Sequence, residues 1–134
     1  MAAVDEIRIS TKHRTELCDI TPKIQGLVSA SKIRTGTCRV FIPHTTAGVT
    51  INENADPSVK RDILNGLERI APANAAYEHA EGNADAHIKS ALVGTDKTVF
   101  IEEGRLKLGT WQGIFFCEFD GPRQRTVFVK ISEG

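Results

Sequence analysis

The stretch TWQGIFFCEF, residues 110–119, decides the fold. Read with the two-residue period of a strand, Trp111, Phe115, Cys117 and Phe119 fall on one face. Gln112, Ile114, Phe116 and Glu118 fall on the other, which continues to Asp120. Both faces are largely apolar, so this strand is central, with material packed above and below it. Working outward, residues 4–10, 13–20, 38–42, 49–53, 98–102, 106–108 and 126–131 also spell strands. Asp120-Gly121-Pro122 reads as a turn making a hairpin of the last two, and Glu103-Gly104 as another tight turn.

Three helices fit between them. Thr21-Pro22 opens the first, with Thr21 as N-cap and Ile24, Leu27 and Val28 as its apolar face, and Gly36 ends that segment. Asp56-Pro57 opens the second, with Val59, Ile63, Leu64, Leu67 and Ile70 at near-helical spacing. Asn83 caps the third, whose stripe is Ala84, Ile88, Ala91 and Leu92 and which Gly94 closes. Strands at both ends with helices between predict an α+β fold, with a mostly antiparallel, strand-rich, sandwich-like sheet. No Gly-rich phosphate loop joins a strand to a helix, which excludes Rossmann and P-loop architectures.

The chain has 134 residues, enough for one domain (1–134) that buries roughly two-thirds of its unfolded surface without disulfide or structural metal. Its formal net charge is zero, which argues against nucleic acid or an anionic membrane as the main partner. Cys18, Cys38 and Cys117 are far apart with no CxxC pair, as expected of buried reduced thiols in a cytoplasmic protein. MAAVDEIRIS carries two acidic residues and no long apolar run, unlike a secretory signal.

Polar residues in apolar positions mark the candidate site. In strand 49–53, Glu53 continues the face of Val49 and Ile51, while Asn52 lies opposite. Glu118 follows Phe116 on a buried face, where a carboxylate needs a cation, a metal or hydrogen-bond donors. The bland alternative for either residue is a strand end emerging into solvent. His44-Thr45-Thr46 follows a strand and a proline; it is either a loop of reactive groups or a turn held by threonine hydroxyls. His44, His79 and His87, with Glu53, Glu78, Glu118 or Asp120, form a candidate set for zinc or a similar ion, though no HExxH spacing is present. Asp120-Gly121-Pro122-Arg123 places Arg123 as a candidate phosphate clamp beside Asp120.

Four segments together, PHTTAGVTINENAD (43–56), HAEGNADAHIKSALVG (79–94), GRLKLGTWQGIFFCEFDGPR (104–123) and TVFVKI (126–131), resemble the YjbQ family over essentially the whole chain. The resemblance implies an α+β fold and a homotrimer. It also implies thiamine-phosphate synthase activity, as a secondary activity beside another role: a transferase joining a pyrimidine diphosphate to a thiazole phosphate as pyrophosphate leaves. His44, Glu53, Glu118 and Asp120 are then the catalytic candidates. Thr45, Thr46, Asn52, Asn83, Gln112 and Arg123 are the substrate-binding ones, and His44, His79 and His87 the ligands of a divalent ion, zinc or magnesium. The rival expectations are a metal-dependent small-molecule hydrolase and a non-catalytic trimeric module that binds a phosphorylated metabolite.

Overall fold

The computed structural model describes residues 3–134. Its elements run β1 (Val4–Ser10), β2 (Glu16–Asp19), α1 (Thr21–Ser31), β3 (Thr35–Phe41), β4 (Ala47–Glu53), α2 (Pro57–Ile70), α3 (Ala84–Val93), β5 (Asp96–Glu102), β6 (Arg105–Leu106), β7 (Gln112–Glu118) and β8 (Gln124–Glu133). They form two antiparallel sheets, ordered β1-β8-β3-β5-β6 and β2-β7-β4. This is the α+β architecture expected.

β7 is central, and its two faces serve different cores. Ile114 and Phe116 meet Val40, Val99, Val127 and Val129 of the five-stranded sheet, with Ile24 and Val28 of α1 in the same cluster. Phe115 and Cys117, with Phe119 just beyond the strand, pack under Ile63, Leu64 and Leu67 of α2 and Ala86 and Val93 of α3. The layers are therefore sheet, sheet, helices. Trp111 precedes the strand and is 63% exposed, so it is not part of the face it was expected to share.

The expected hairpin at Asp120–Pro122 does not form. β7 belongs to the three-stranded sheet, whereas β8 lies between β1 and β3 in the other. The turn, with a cis Gly121-Pro122 bond, carries the chain from one layer to the next. Gly121 is required here by close approach: a Cβ would lie 2.3 Å from the His13 carbonyl oxygen. Gly36 likewise lies inside β3 and does not end a segment, since a Cβ there would meet the Ser132 oxygen at 2.0 Å. Glu103 and Gly104, both at positive φ, make the β5–β6 turn as expected.

Asp56 caps α2 through Ser58 N–H at 2.9 Å. Thr21 is inside α1 instead of capping it. Its N–H is taken by Asp19, and its hydroxyl oxygen accepts from Ile114 N–H at 2.8 Å.

The largest departure is α3, which turns the expected apolar stripe outward. Ile88 and Leu92 are 38% and 56% exposed, while Asp85, Ala86, Lys89 and Ser90 are buried. The polar face finds a partner for each group. Asp85 receives Arg14 at 3.0 and 3.2 Å, and Lys89 donates to Asp85 at 3.2 Å and to Glu68 at 2.6 Å. Ser90 donates to the Ala47 carbonyl at 2.7 Å. Saturated buried charges of this kind hold a helix in one orientation. No helix among the described residues is long and apolar enough to cross a membrane.

Replacing Lys89 by Met leaves Asp85 and Glu68 without their buried cation. It is expected to lower stability by about 3 kcal/mol in urea denaturation. An unchanged midpoint would show that apolar packing alone positions α3.

Candidate functional site

The candidate site is built around the pair Glu118–Arg125. Glu118 ends β7 facing the five-stranded sheet, and Arg125 enters β8 on the buried face it shares with Val127 and Val129. Both are almost fully buried. Arg125 holds both carboxylate oxygens, through Nε at 2.8 Å to Oε1 and through Nη2 to Oε2. Oε1 also accepts from the Thr11 hydroxyl at 2.8 Å, and Oε2 from Asp120 N–H at 2.9 Å. Burial pushes this carboxyl up, but the bonds from Arg125, Asp120 and Thr11 together outweigh it and hold Glu118 below the usual carboxylate range. Arg125 reaches further, donating to the Thr46 hydroxyl at 2.8 Å and carbonyl at 3.3 Å. One ion pair thereby fixes the residue that follows β1, the 42–46 loop and the crossover turn.

That loop presents His44 to a cavity of about 420 Å³. Thr45 and Thr46 line the same wall; His79, Glu81, Asn83 and His87 supply a second, and Asp120 and Arg123 a third. Three distant pieces of chain thus meet. The His79 and His87 rings lie edge to face with centroids 5.2 Å apart. His79 also approaches Glu81 at 3.9 Å. Asp120 Oδ2 accepts from Asn83 Nδ2 at 2.8 Å and from Arg123 Nη2 at 3.1 Å. Asn83 stands at the N-cap position of α3 but does not cap it with its side chain, and its Oδ1 is buried without a hydrogen-bond partner.

His44 Nε2 accepts a hydrogen bond from the Thr126 backbone N–H at 3.0 Å. A backbone N–H only donates, so the ring proton resides on Nδ1. Burial, then the nearby Arg125 charge, hold this imidazole below its ordinary value. His44 is therefore a neutral donor through Nδ1–H. That chemistry does not fit the three-histidine metal shell, because the Nε2 lone pair is engaged and Nδ1 carries a proton. Among the described residues, no three His, Cys, Asp or Glu side chains are grouped to hold an ion.

Three sequence candidates lie elsewhere. β4 and β7 run antiparallel, with Ala47 opposite Glu118 at the site and Glu53 opposite Gln112 at the far end. Six residue steps at about 3.3 Å each put Asn52, Glu53 and Gln112 roughly 20 Å along the sheet. There, Glu53 accepts from Ala55 N–H, Asn52 from Glu53 N–H and Gln112 from Gly109 N–H. These are strand-end and turn contacts. Glu118, expected among the catalytic residues, has both oxygens bonded by Arg125, Thr11 and Asp120 and does not line the cavity. Arg125 lies one residue before the strand expected at 126–131; its alternation with Val127, Val129 and Ile131 is the sequence signal that reveals it. All three cysteines are free, with thiols pushed up by burial to about 12, 11 and 12 for Cys18, Cys38 and Cys117.

Comparison with known proteins decides the family. The pattern described as UPF0047 protein YjbQ-like matches residues 5–134. The chain belongs to the YjbQ family. A UPF0047 protein of Methanocaldococcus jannaschii is 58% identical over 92% of this chain and 90% of its own. The UPF0047 protein YugU of Bacillus subtilis is 48% identical over 93% and 96%. Among solved structures, an uncharacterised YjbQ/UPF0047-family protein of Clostridium acetobutylicum superposes with a TM-score of 0.94 at 52% identity, covering 96% of this chain and 99% of its own. A protein of unknown function from Sulfolobus solfataricus superposes at 0.95 with 34% identity, covering 100% and 99%.

These relatives correct the expected activity. They are described as UPF0047 proteins, as uncharacterised or as of unknown function, and nothing in them indicates a thiamine-phosphate synthase. The transferase expectation is withdrawn on that ground.

Two measurements check the site. Glu118→Ala strands the buried Arg125 charge and is expected to cost about 3–5 kcal/mol in chemical denaturation. Loss of ligand affinity with stability intact would instead return Glu118 to the reacting groups. For His44, the folded value lies below the ordinary 6.5, so its contribution to stability is complete above about pH 6.5 and is lost as pH falls through the folded value. In an NMR titration His44 should stay mostly neutral at pH 6.5 with its proton on Nδ1. An Nε2–H resonance would contradict the assignment.

Proposed function

We propose that this cavity binds a small phosphorylated ligand. The observation that carries the reading is the locked His44, a neutral donor whose Nδ1–H needs no change of protonation to meet an anion's oxygen. Arg123 supports it. Its guanidinium is anchored by Nε to the Asp120 carbonyl at 2.9 Å and by Nη2 to the Asp120 carboxylate, which leaves Nη1 to donate. Thr46 accepts from Arg125 through its hydroxyl oxygen, so its own O–H remains to donate. The first turn of α3, uncapped by Asn83, adds the positive end of a helix. The His79 and His87 rings, edge to face with centroids 5.2 Å apart, add two imidazoles to the lining of the same cavity.

Self-association as a homotrimer belongs to the same proposal. Phe41 and Phe128 stack at 6.5 Å on the outer face of the five-stranded sheet, and Phe100 is 66% exposed. Apolar side chains on an uncovered sheet face support an interface between copies. The free thiols suit the cytoplasm.

Titration with inorganic phosphate, followed by calorimetry and by backbone amide shifts, tests the reading. Saturable binding should perturb Thr45, Thr46, His87 and Arg123. Arg123→Gln and His44→Ala should each weaken it at least about tenfold, the size of one lost charge-assisted bond. No saturable binding, or binding that both variants leave unchanged, overturns the proposal.

A further inference from the structure

A second cavity of about 400 Å³ adjoins the first, and His44, Thr45 and His87 line both. The two differ in chemistry. The first has Glu81, Asp120, Arg123 and Arg125 in its walls. The second is completed by Ser90, Ala91, Gly94 and Thr95, none of which carries charge.

We infer that the two cavities form one bipartite site for a phosphate monoester whose alcohol part is uncharged. The inference rests on the phosphate reading above and adds the class of group attached to it. The phosphate sits among His44, Thr46 and Arg123. The ester oxygen passes between His44 and His87, and the alcohol part lies along α3 against Ala91 and Gly94. A cationic alcohol part would lose hydration there and meet Lys97, whose Nζ stands 3.6 Å from where a Gly94 side chain would begin, instead of a carboxylate. Small residues make the space: Ala91 presents a methyl group, and Gly94 at φ 93° holds a backbone that side-chain-bearing residues rarely adopt.

The wall is also rigid. The buried Ser90 hydroxyl is spent on the Ala47 carbonyl at 2.7 Å. The Gly94 carbonyl accepts from Val49 N–H at 3.1 Å, and the Thr95 carbonyl from Ile42 N–H at 2.8 Å. A wall tied to β4 and to the residue leading into the 42–46 loop is preformed, so little ordering opposes binding. The junction is His44 itself, which lines both cavities and whose Nδ1–H is not spent on the Thr126 bond.

The test compares three probes, inorganic phosphate, phenyl phosphate and phosphocholine, on the wild type and on Ala91→Phe and Ala91→Leu. On the wild type, phenyl phosphate should bind at least about tenfold more tightly than inorganic phosphate, the effect of a few buried apolar groups. Phosphocholine should gain little. Both variants fill the second cavity, so the phenyl advantage should fall to about twofold or less while inorganic phosphate binds as before. Unchanged phosphate affinity also shows that the variants are folded; leucine, a strong helix former, secures the comparison if phenylalanine disturbs α3. If phosphate binds but the phenyl advantage is absent or survives both variants, this inference falls and the phosphate site stands. Equal gain by phosphocholine overturns it too. If inorganic phosphate does not bind the wild type, both fall together.

Discussion

The rest of the molecule hangs on the buried ion pair Glu118–Arg125. It joins the end of β7 to the start of β8, strands that lie in different sheets. Its remaining bonds collect Thr11, Thr46 and Asp120. A buried pair adds little net stability over an apolar replacement, because desolvating both charges offsets their attraction. What it supplies is geometry. Every oxygen of Glu118 is directed, and each partner belongs to a different segment, so only one arrangement of those segments satisfies them all. His44 follows from that arrangement: the loop that Arg125 holds through Thr46 brings the imidazole to the Thr126 N–H, and a backbone donor decides its tautomer.

The other side of the cavity is held by the same logic. α3 buries Asp85, Lys89 and Ser90, the polar half of a helix whose larger apolar residues face out. Two cations and two carboxylates, Arg14, Lys89, Asp85 and Glu68, fix its position against α2 and the β1–β2 connection. The first turn is thereby aimed at the cavity, with Asn83 turned to Asp120 and His87 set beside His79. Both walls of the site are thus positioned by buried charge.

Much of the fold was legible in local patterns. Alternation in residues 110–119 located the central strand and set Glu118 on the face of Phe116, either buried with a partner or emerging into solvent. Asp56-Pro57 marked a helix start, and Glu103-Gly104 a turn. Periodicity failed on α3, where it assigned the buried face by hydropathy. Hydropathy cannot register that Asp85 and Lys89 neutralise each other four residues apart and meet Arg14 and Glu68 from distant segments. It failed again at Asp120–Pro122, since a turn motif does not say whether the next strand pairs with the last one or changes layer.

The chain's own residues determined its strands and two of its helix starts, the loops bearing His44, His79 and Arg123, and the place of Glu118 on an apolar strand face. Those features arise from neighbours in sequence, where period, capping and desolvation act locally. Only the tertiary structure chose Arg125 as the partner of Glu118, separated Asn52, Glu53 and Gln112 from the histidines, and made His44 a neutral donor. Each of those outcomes depends on strand register and on one long-range hydrogen bond. Neither is encoded in any single stretch of the chain, because both come into being only when distant strands pair and the two sheets close on each other.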